Sequence, residues 1–348
     1  MTGPLAGLRI VELVGQGPGP FAAMLLAQLG AEVVGVERAG TPASSMFAAR
    51  KQSVVLDLKS SDDRDLLLGL FDRADALIDP FRPGVCERLG IGPDVVMARN
   101  PRMIYGRMTG FGQEGPLALA AGHDINYIAL SGALDMLGAA SGPPQPPINL
   151  LGDFAGGGML LALGILAAAY ERSESGAGQV IDAAMIDGAT LIALPMWMSR
   201  FRGSWGPRGT NYLDGASHFY GVYECSDGGY VSVGAIEPQF YAELIERLGL
   251  DPSTSPQHDR AEWPRLKAEI ADVFRQKTRD EWCGLLEGTE TCFAPVLSPR
   301  ETATHPHHLA RGRFPDAAPR FSRTPGTIDG AFVDVTEVVR SGRFWAAS

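Results

Sequence analysis

An α/β fold, in which a mostly parallel sheet is covered by helices and followed by a smaller α+β domain, is what this sequence predicts, and three observations carry it. Apolar runs rich in β-branched residues occur at 8–14 and 31–36 with a helical pattern at 21–29 between them, which is a β-α-β unit. The joins are short, so consecutive strands run parallel beneath crossover helices. The 43 glycines and 25 prolines among 348 residues supply the turns that such alternation needs, and the length suits about two domains at roughly 150 residues each.

The elements follow in order. Beyond the first unit come a strand at 53–56, a helix at 62–72, and strands at 76–78 and 103–107. The loop-rich FGQEGPLALAAG leads to a helix from about Asp124, and SGPPQPP cannot be regular structure inside a sheet. A long apolar helix starts at Asp153, then a strand at 179–182 and a helix at 185–198. These elements make 1–200 a Rossmann-like large domain. Residues 201–218 are polar, Gly-rich and aperiodic and read as a linker. Runs at 219–224 and 230–233 flank Ser226-Asp227-Gly228-Gly229, a hairpin signal, and helical patterns follow at 237–248, 261–276 and 279–287. Residues 219–319 are therefore the small α+β domain. The Pro- and Arg-rich tail reads as irregular, with 320–348 packing back on the large domain.

Composition excludes several function classes. With 30 basic and 40 acidic residues the net charge is −10, a field that repels nucleic acid and anionic membranes. The charge is uneven: residues 1–110 hold twelve of each sign, and the remainder carries the whole excess. Cys86, Cys225, Cys283 and Cys292 show no CxxC spacing, so neither a disulfide framework nor a zinc knuckle is expected and a reducing, cytoplasmic location fits. No signal peptide is read at the N-terminus, and FWAAS at the other end is no peroxisomal address. The apolar stretch 154–170 is short and glycine-rich at its start, which favours a buried core helix over a membrane span. His305, His307 and His308 cluster without partner spacing, so no metal is assigned.

The loop Gly15-Gln16-Gly17-Pro18-Gly19-Pro20 between the first strand and helix has the layout of a dinucleotide fingerprint, but Pro20 replaces the third glycine and Pro18 has no N–H to offer a pyrophosphate. A tight strand-to-helix turn is the preferred reading. Three other segments set ionisable groups in unusual places. His123 precedes a helix that Asp124 is placed to cap. Asp153 stands at the mouth of an apolar helix, either as its N-cap or as a chemical group. Glu237 lies between a strand end and a helix opening at Pro238, with the same two readings.

Taken with GPLAGLRIVEL, RPGVCERLGIGP, YGRMTGFGQEGP, GHDINYIALSG, NLLGDFAGGGM and VGAIEPQFY, these segments make the chain resemble the family III CoA-transferases, and within them the α-methylacyl-CoA racemase branch, from Gly3 to about Arg323. The resemblance implies the family III fold and an interlocked homodimer, in which the small domain of one chain covers the active site of the other. It also implies His123 and Asp153 as the acid/base pair for α-proton transfer, with Glu237 supporting the histidine across the interface. The transferase branch shares the aspartate, as a nucleophile, but usually not the histidine, so GHDINY discriminates and CoA transfer through Asp153 is the alternative activity. The acyl-CoA thioester is the substrate, CoA being part of it, and no cofactor is called for.

By the same resemblance, Arg38, Lys59, Phe81, Arg82 and Arg88 are CoA contacts. Leu56, Asp57 and Leu58 offer backbone to the adenosine part, while Gly122, Asp124, Ile125, Asn126 and Tyr127 border the pantetheine. Met108, Met185, Met196 and Met198 suit a flexible acyl surface, since methionine adapts its shape cheaply. Gly156, Gly157 and Gly158 permit either close ligand approach or tight helix packing. Burial would raise the pKa of Asp153 and a helix start would lower it.

Overall fold

The structure, a computed structural model, describes residues 3–40, 47–312 and 314–345. The inner strands of the large sheet carry apolar residues on both faces because both are covered. In β1 (Arg9–Leu13), Ile10 faces one core and Val11 the other; Val33 and Val34 divide in the same way in β2 (Glu32–Glu37). After β3 (Gln52–Val55), the pairs Ile78 and Leu77 in β4 (Ala76–Asp79) and Ile104 and Tyr105 in β5 (Ile104–Thr109) repeat the division. With β6 (Val180–Ala184) the elements predicted for the first half are all present.

The small sheet consists of β7 (Tyr220–Glu224), β8 (Tyr230–Gly234) and β9 (Phe293–Pro295), antiparallel throughout, and β10 (Val333–Asp334) returns to the large one. The large sheet is parallel, in the order β10-β3-β2-β1-β4-β5-β6. The chain builds outward from β1 through β2 to β3, then crosses to β4 on the other side. The order therefore reverses between β1 and β4, where a crevice opens at the carboxyl ends of the strands. The α/β class and the accompanying α+β unit are those read from the sequence.

One face of the sheet is covered by the helix Pro18–Gln28 and by Leu150–Ser175, which is long and apolar enough to cross a membrane by length and composition. Its Leu161, Ala162, Ile165 and Ala168 are buried against Ile10, Ile104 and Leu26 in the core. The glycine run at its start serves packing. A Cβ on Gly157 would lie 2.9 Å from the Met185 side chain, one on Gly158 2.7 Å from Pro18 O, and one on Gly156 2.7 Å from Ala189 N. The facing Gly188 is tighter still, its Cβ falling 1.8 Å from Gly156 O. Gly188→Ala is therefore expected to destabilise the fold by about 1–3 kcal/mol, visible as a lower urea midpoint in circular dichroism. An unchanged midpoint would mean that this contact opens freely.

Two compact units divide the chain: 1–133 with 147–194 and 315–348, and 134–146 with 195–314. The boundary thus falls inside the helix Met185–Phe201, at its internal Pro195, rather than at 200. Residues 201–218 are no free linker but part of the second unit. Asn211, fully buried, accepts from the Gly206 N–H at 2.6 Å and donates to Pro207 O at 2.9 Å. Arg208 donates to Ala139 O at 2.9 Å and Gly142 O at 2.8 Å, drawing 134–146 into the same unit. This order comes from polar side chains bonding backbone, which leaves no hydrophobic period to read.

The tail is less irregular than its composition suggests. β10 pairs with β3, and the Thr336 hydroxyl accepts from the Val55 N–H at 3.0 Å. Arg340 donates to both oxygens of Asp63, at 2.8 and 3.1 Å. Residues 346–348 of the expected 320–348 segment lie outside the described residues.

Candidate active site

Two neighbouring cavities open at the reversal between β1 and β4. The first, about 520 Å³, is walled by the turn after β1 (Gln16, Gly17, Pro18), the loop after β4 (Pro80 to Pro83) and the end of β5 (Met108, Thr109), and both His123 and Asp153 face it. The second, about 480 Å³, lies over the ends of β1, β2 and β3. Phe81 lines both. The turn after β1 is the glycine loop of the sequence. Gly17 takes φ 65, a conformation that favours glycine, and Pro18 opens the helix, with Pro20 inside its first turn. Its place facing Asp153 is what the loop contributes: a Cβ on Gly17 would stand 3.6 Å from Asp153 Oδ2.

His123 is itself the N-cap of the helix Asp124–Leu130, and the cap is closed by Asn126, whose Oδ1 accepts the His123 N–H at 3.1 Å. Asp124 is therefore the first helical residue rather than the cap. The His123 residue is exposed and lines the cavity. Asp153 is not an N-cap either. The helix starts at Leu150, after Asn149, and runs in the wider π geometry to Met159, which puts Asp153 in its first turn.

Asn149 Nδ2 donates to Asp153 Oδ2 at 3.1 Å. Burial, the largest influence, pushes the pKa of Asp153 above the usual carboxylate range. The Asn149 bond opposes this, the negative charge of Asp124 adds to it and His123 opposes it. The helix start, expected to lower this pKa, is partly spoken for, because the N–H groups of Gly152 and Asp153 donate to Asp124 Oδ2 at 2.6 and 2.8 Å.

Tyr127 completes this wall. Its hydroxyl donates to Gly122 O, its ring meets Phe111 edge-on at 4.9 Å, and burial raises its pKa. Gly110 and Gly122 are glycines because a Cβ on either would strike that ring, at 2.2 and 2.8 Å.

Of the residues singled out for CoA, Arg38, Leu56, Asp57, Leu58, Lys59 and Phe81 meet at the second cavity, with Val14, Val36 and Leu89 as apolar lining. Arg82 lines the first cavity, and the exposed Arg88 lines neither. Gly122 and Tyr127 line the first cavity too, whereas Ile125 and Asn126 are exposed and do not. Met108 and Met185 face it. Met196 and Met198 fall beyond Pro195, in the second unit.

Glu237, also in the second unit, is the exposed N-cap residue of Pro238–Arg247, and its side chain makes no capping hydrogen bond. Among the described residues no group of three or more His, Cys, Asp or Glu could hold a metal ion, and His305 pairs with Glu287 at 2.9 Å. Sequence reasoning missed Asn149 as the partner of Asp153. The signal was there, four residues ahead in NLLGD, but it is visible only if the helix is begun at Leu150.

Comparison with known proteins adds three findings. A sequence model of CoA-transferase family III matches residues 5–320. Proteins of mouse and human named alpha-methylacyl-CoA racemase are 47% identical over 332 residues and 46% over 333, each alignment covering 92% of this chain and 87% of the relative. In fold, the chain is similar to a CaiB/BaiF family protein from Brucella suis, with a TM-score of 0.84 at 24% identity, covering 99% of this chain and 100% of that one.

Proposed function

The chain belongs to CoA-transferase family III, and from that premise we propose that it inverts the α-carbon of 2-methylacyl-CoA thioesters, the activity its mouse and human relatives are named for. One observation carries the reading: His123 and a carboxyl held above its ordinary pKa, Asp153, face the same cavity.

Inversion requires a proton to leave one face of the α-carbon and another to arrive on the opposite face. For one enantiomer, neutral His123 takes the proton while protonated Asp153 donates; for the other, ionised Asp153 takes it while His123 in its imidazolium form donates. The two active forms hold the same number of protons and differ only in where the proton sits. Both directions therefore share one bell-shaped pH dependence, whose limbs belong to the pair. A carboxyl that keeps its proton to higher pH makes the first form more accessible. The enolate oxygen needs N–H donors aimed at it, and those of Gly152 and Asp153 are already taken by the Asp124 carboxylate.

The second cavity is assigned to the adenosine end of CoA, with Arg38 and Lys59 for its phosphates. The doubly reversed variant, Arg38→Glu with Lys59→Glu, is expected to raise KM about ten-fold or more with little change in kcat, and the effect should shrink with added salt. An unaltered KM would move the phosphates elsewhere. In a homodimer, Glu237 of one chain would reach His123 of the other; its uncommitted side chain and the exposed His123 support that reading. CoA is part of the substrate, no cofactor enters the scheme, and the cytoplasm is the proposed compartment.

The test is deuterium wash-in. Each enantiomer of 2-methylhexanoyl-CoA, incubated with the protein in deuterated water without an acceptor acid, is expected to gain label at the α-carbon and become a racemate. No label, together with an acyl group on Asp153 trapped by hydroxylamine, would replace racemisation with CoA transfer.

A further inference from the structure

Asp124 stands between the two groups assigned to proton transfer: it follows His123 in the chain and is bonded to the main chain of Asp153. Its side chain belongs to a residue only 4% exposed. Oδ2 accepts two N–H groups, from Gly152 and Asp153, while Oδ1 is buried and has no hydrogen-bond partner among the described residues. Glycine at 152 is what admits the carboxylate, since a Cβ there would lie 2.8 Å from Oδ2.

We infer that Asp124 is a positioning residue for the proton transfer: its carboxylate fastens the start of the Asp153 helix to the start of the His123 helix and keeps a negative charge beside Asp153. The inference rests on the racemase reading and deepens it. A neutral acceptor could also take the two amides, if less strongly, and capping does not call for a second oxygen that is buried and unbonded. What the carboxylate adds is charge. The ionisable groups around Asp153 are His123, Asp124, Tyr127 and Arg82, the last lining the same cavity. Of these, Asp124 acts in the same direction as burial and His123 acts against it.

Asp124→Asn and Asp124→Ala separate the two roles, with both enantiomers of 2-methylhexanoyl-CoA as probes and kcat, KM and the pH profile of kcat/KM as readouts. Asparagine keeps an acceptor of the same size and loses the charge. Its kcat is expected to fall about ten-fold with KM within about three-fold, and the acid limb to move to lower pH, because Asp153 without a negative neighbour gives up its proton more readily. Alanine also loses the acceptor, and kcat is expected to fall about a hundred-fold as the two helix starts lose register. An asparagine variant with kcat within two-fold of wild type overturns the inference, and so does one with lowered kcat and unmoved limbs, which would make Asp124 a cap and nothing more. If alanine prevents folding, the asparagine variant decides alone. Wild-type protein that washes in no label overturns the racemase reading itself, and with it the ground of this one.

Discussion

Asp153→Asn is expected to lower the racemisation rate by about 10²–10⁴-fold while thioester binding stays within a few-fold of wild type. Asparagine matches aspartate in size and can still accept from Asn149, so the wall of the cavity is preserved. What disappears is the ability to give or take a proton. His123 remains, and it can still remove the α-proton of the enantiomer that presents hydrogen to it, exchange that proton with solvent and return a deuteron to the same face. The variant should therefore wash label into one enantiomer with retained configuration and leave the other untouched. Racemisation within about ten-fold of wild type would remove Asp153 from the proton path. Loss of racemisation with no exchange in either enantiomer would contradict a two-base arrangement.

His123→Gln is the mirror experiment. Racemisation should fall by a similar 10²–10⁴-fold, and exchange should survive only in the enantiomer that the asparagine variant ignores. The bond from the His123 N–H to the Asn126 side chain, which does not use the imidazole, is expected to keep the start of the Asp124–Leu130 helix in place. Thermal denaturation should therefore be nearly unchanged, which separates lost chemistry from lost structure. If both variants exchanged the same enantiomer, the two groups would sit on one face of the substrate, and inversion between them would be impossible.

Much of the fold was legible because burial writes itself into the sequence. Ile10 and Val11, or Ile104 and Tyr105, sit on opposite covered faces, so each strand reads as a continuous apolar run. β10 was not legible: it is two residues long, and its side chains are exposed, so no run marks it. Order in 201–218 was invisible for the converse reason, being carried by Asn211 and Arg208 through bonds to backbone.

At the site, the residue types of His123, Asp153 and Glu237 were readable, but the local geometry was not. Asp153 looks like an N-cap in the sequence because Gly152 precedes it and an apolar run follows; the π turn that embeds it, and the hold of Asp124, distant in sequence, on the Gly152 and Asp153 amides, leave no mark there. The inward turn of Asp124 is equally hidden in the sequence. Polar and next to His123, it has every outward sign of facing the cavity, and only its burial shows otherwise.

The large unit is assembled from three stretches of chain, the last of them 315–348, and β10 within that stretch pairs with β3 near the beginning. During synthesis the stretch that carries the antiparallel sheet leaves the ribosome whole before the parallel sheet has its final strand. β3 must wait, with one edge unpaired, until residue 334 has been made. An early stop just before β10 would leave every proposed catalytic group in place, yet it would release a chain with β3 as an open sheet edge, prone to aggregate before it could act.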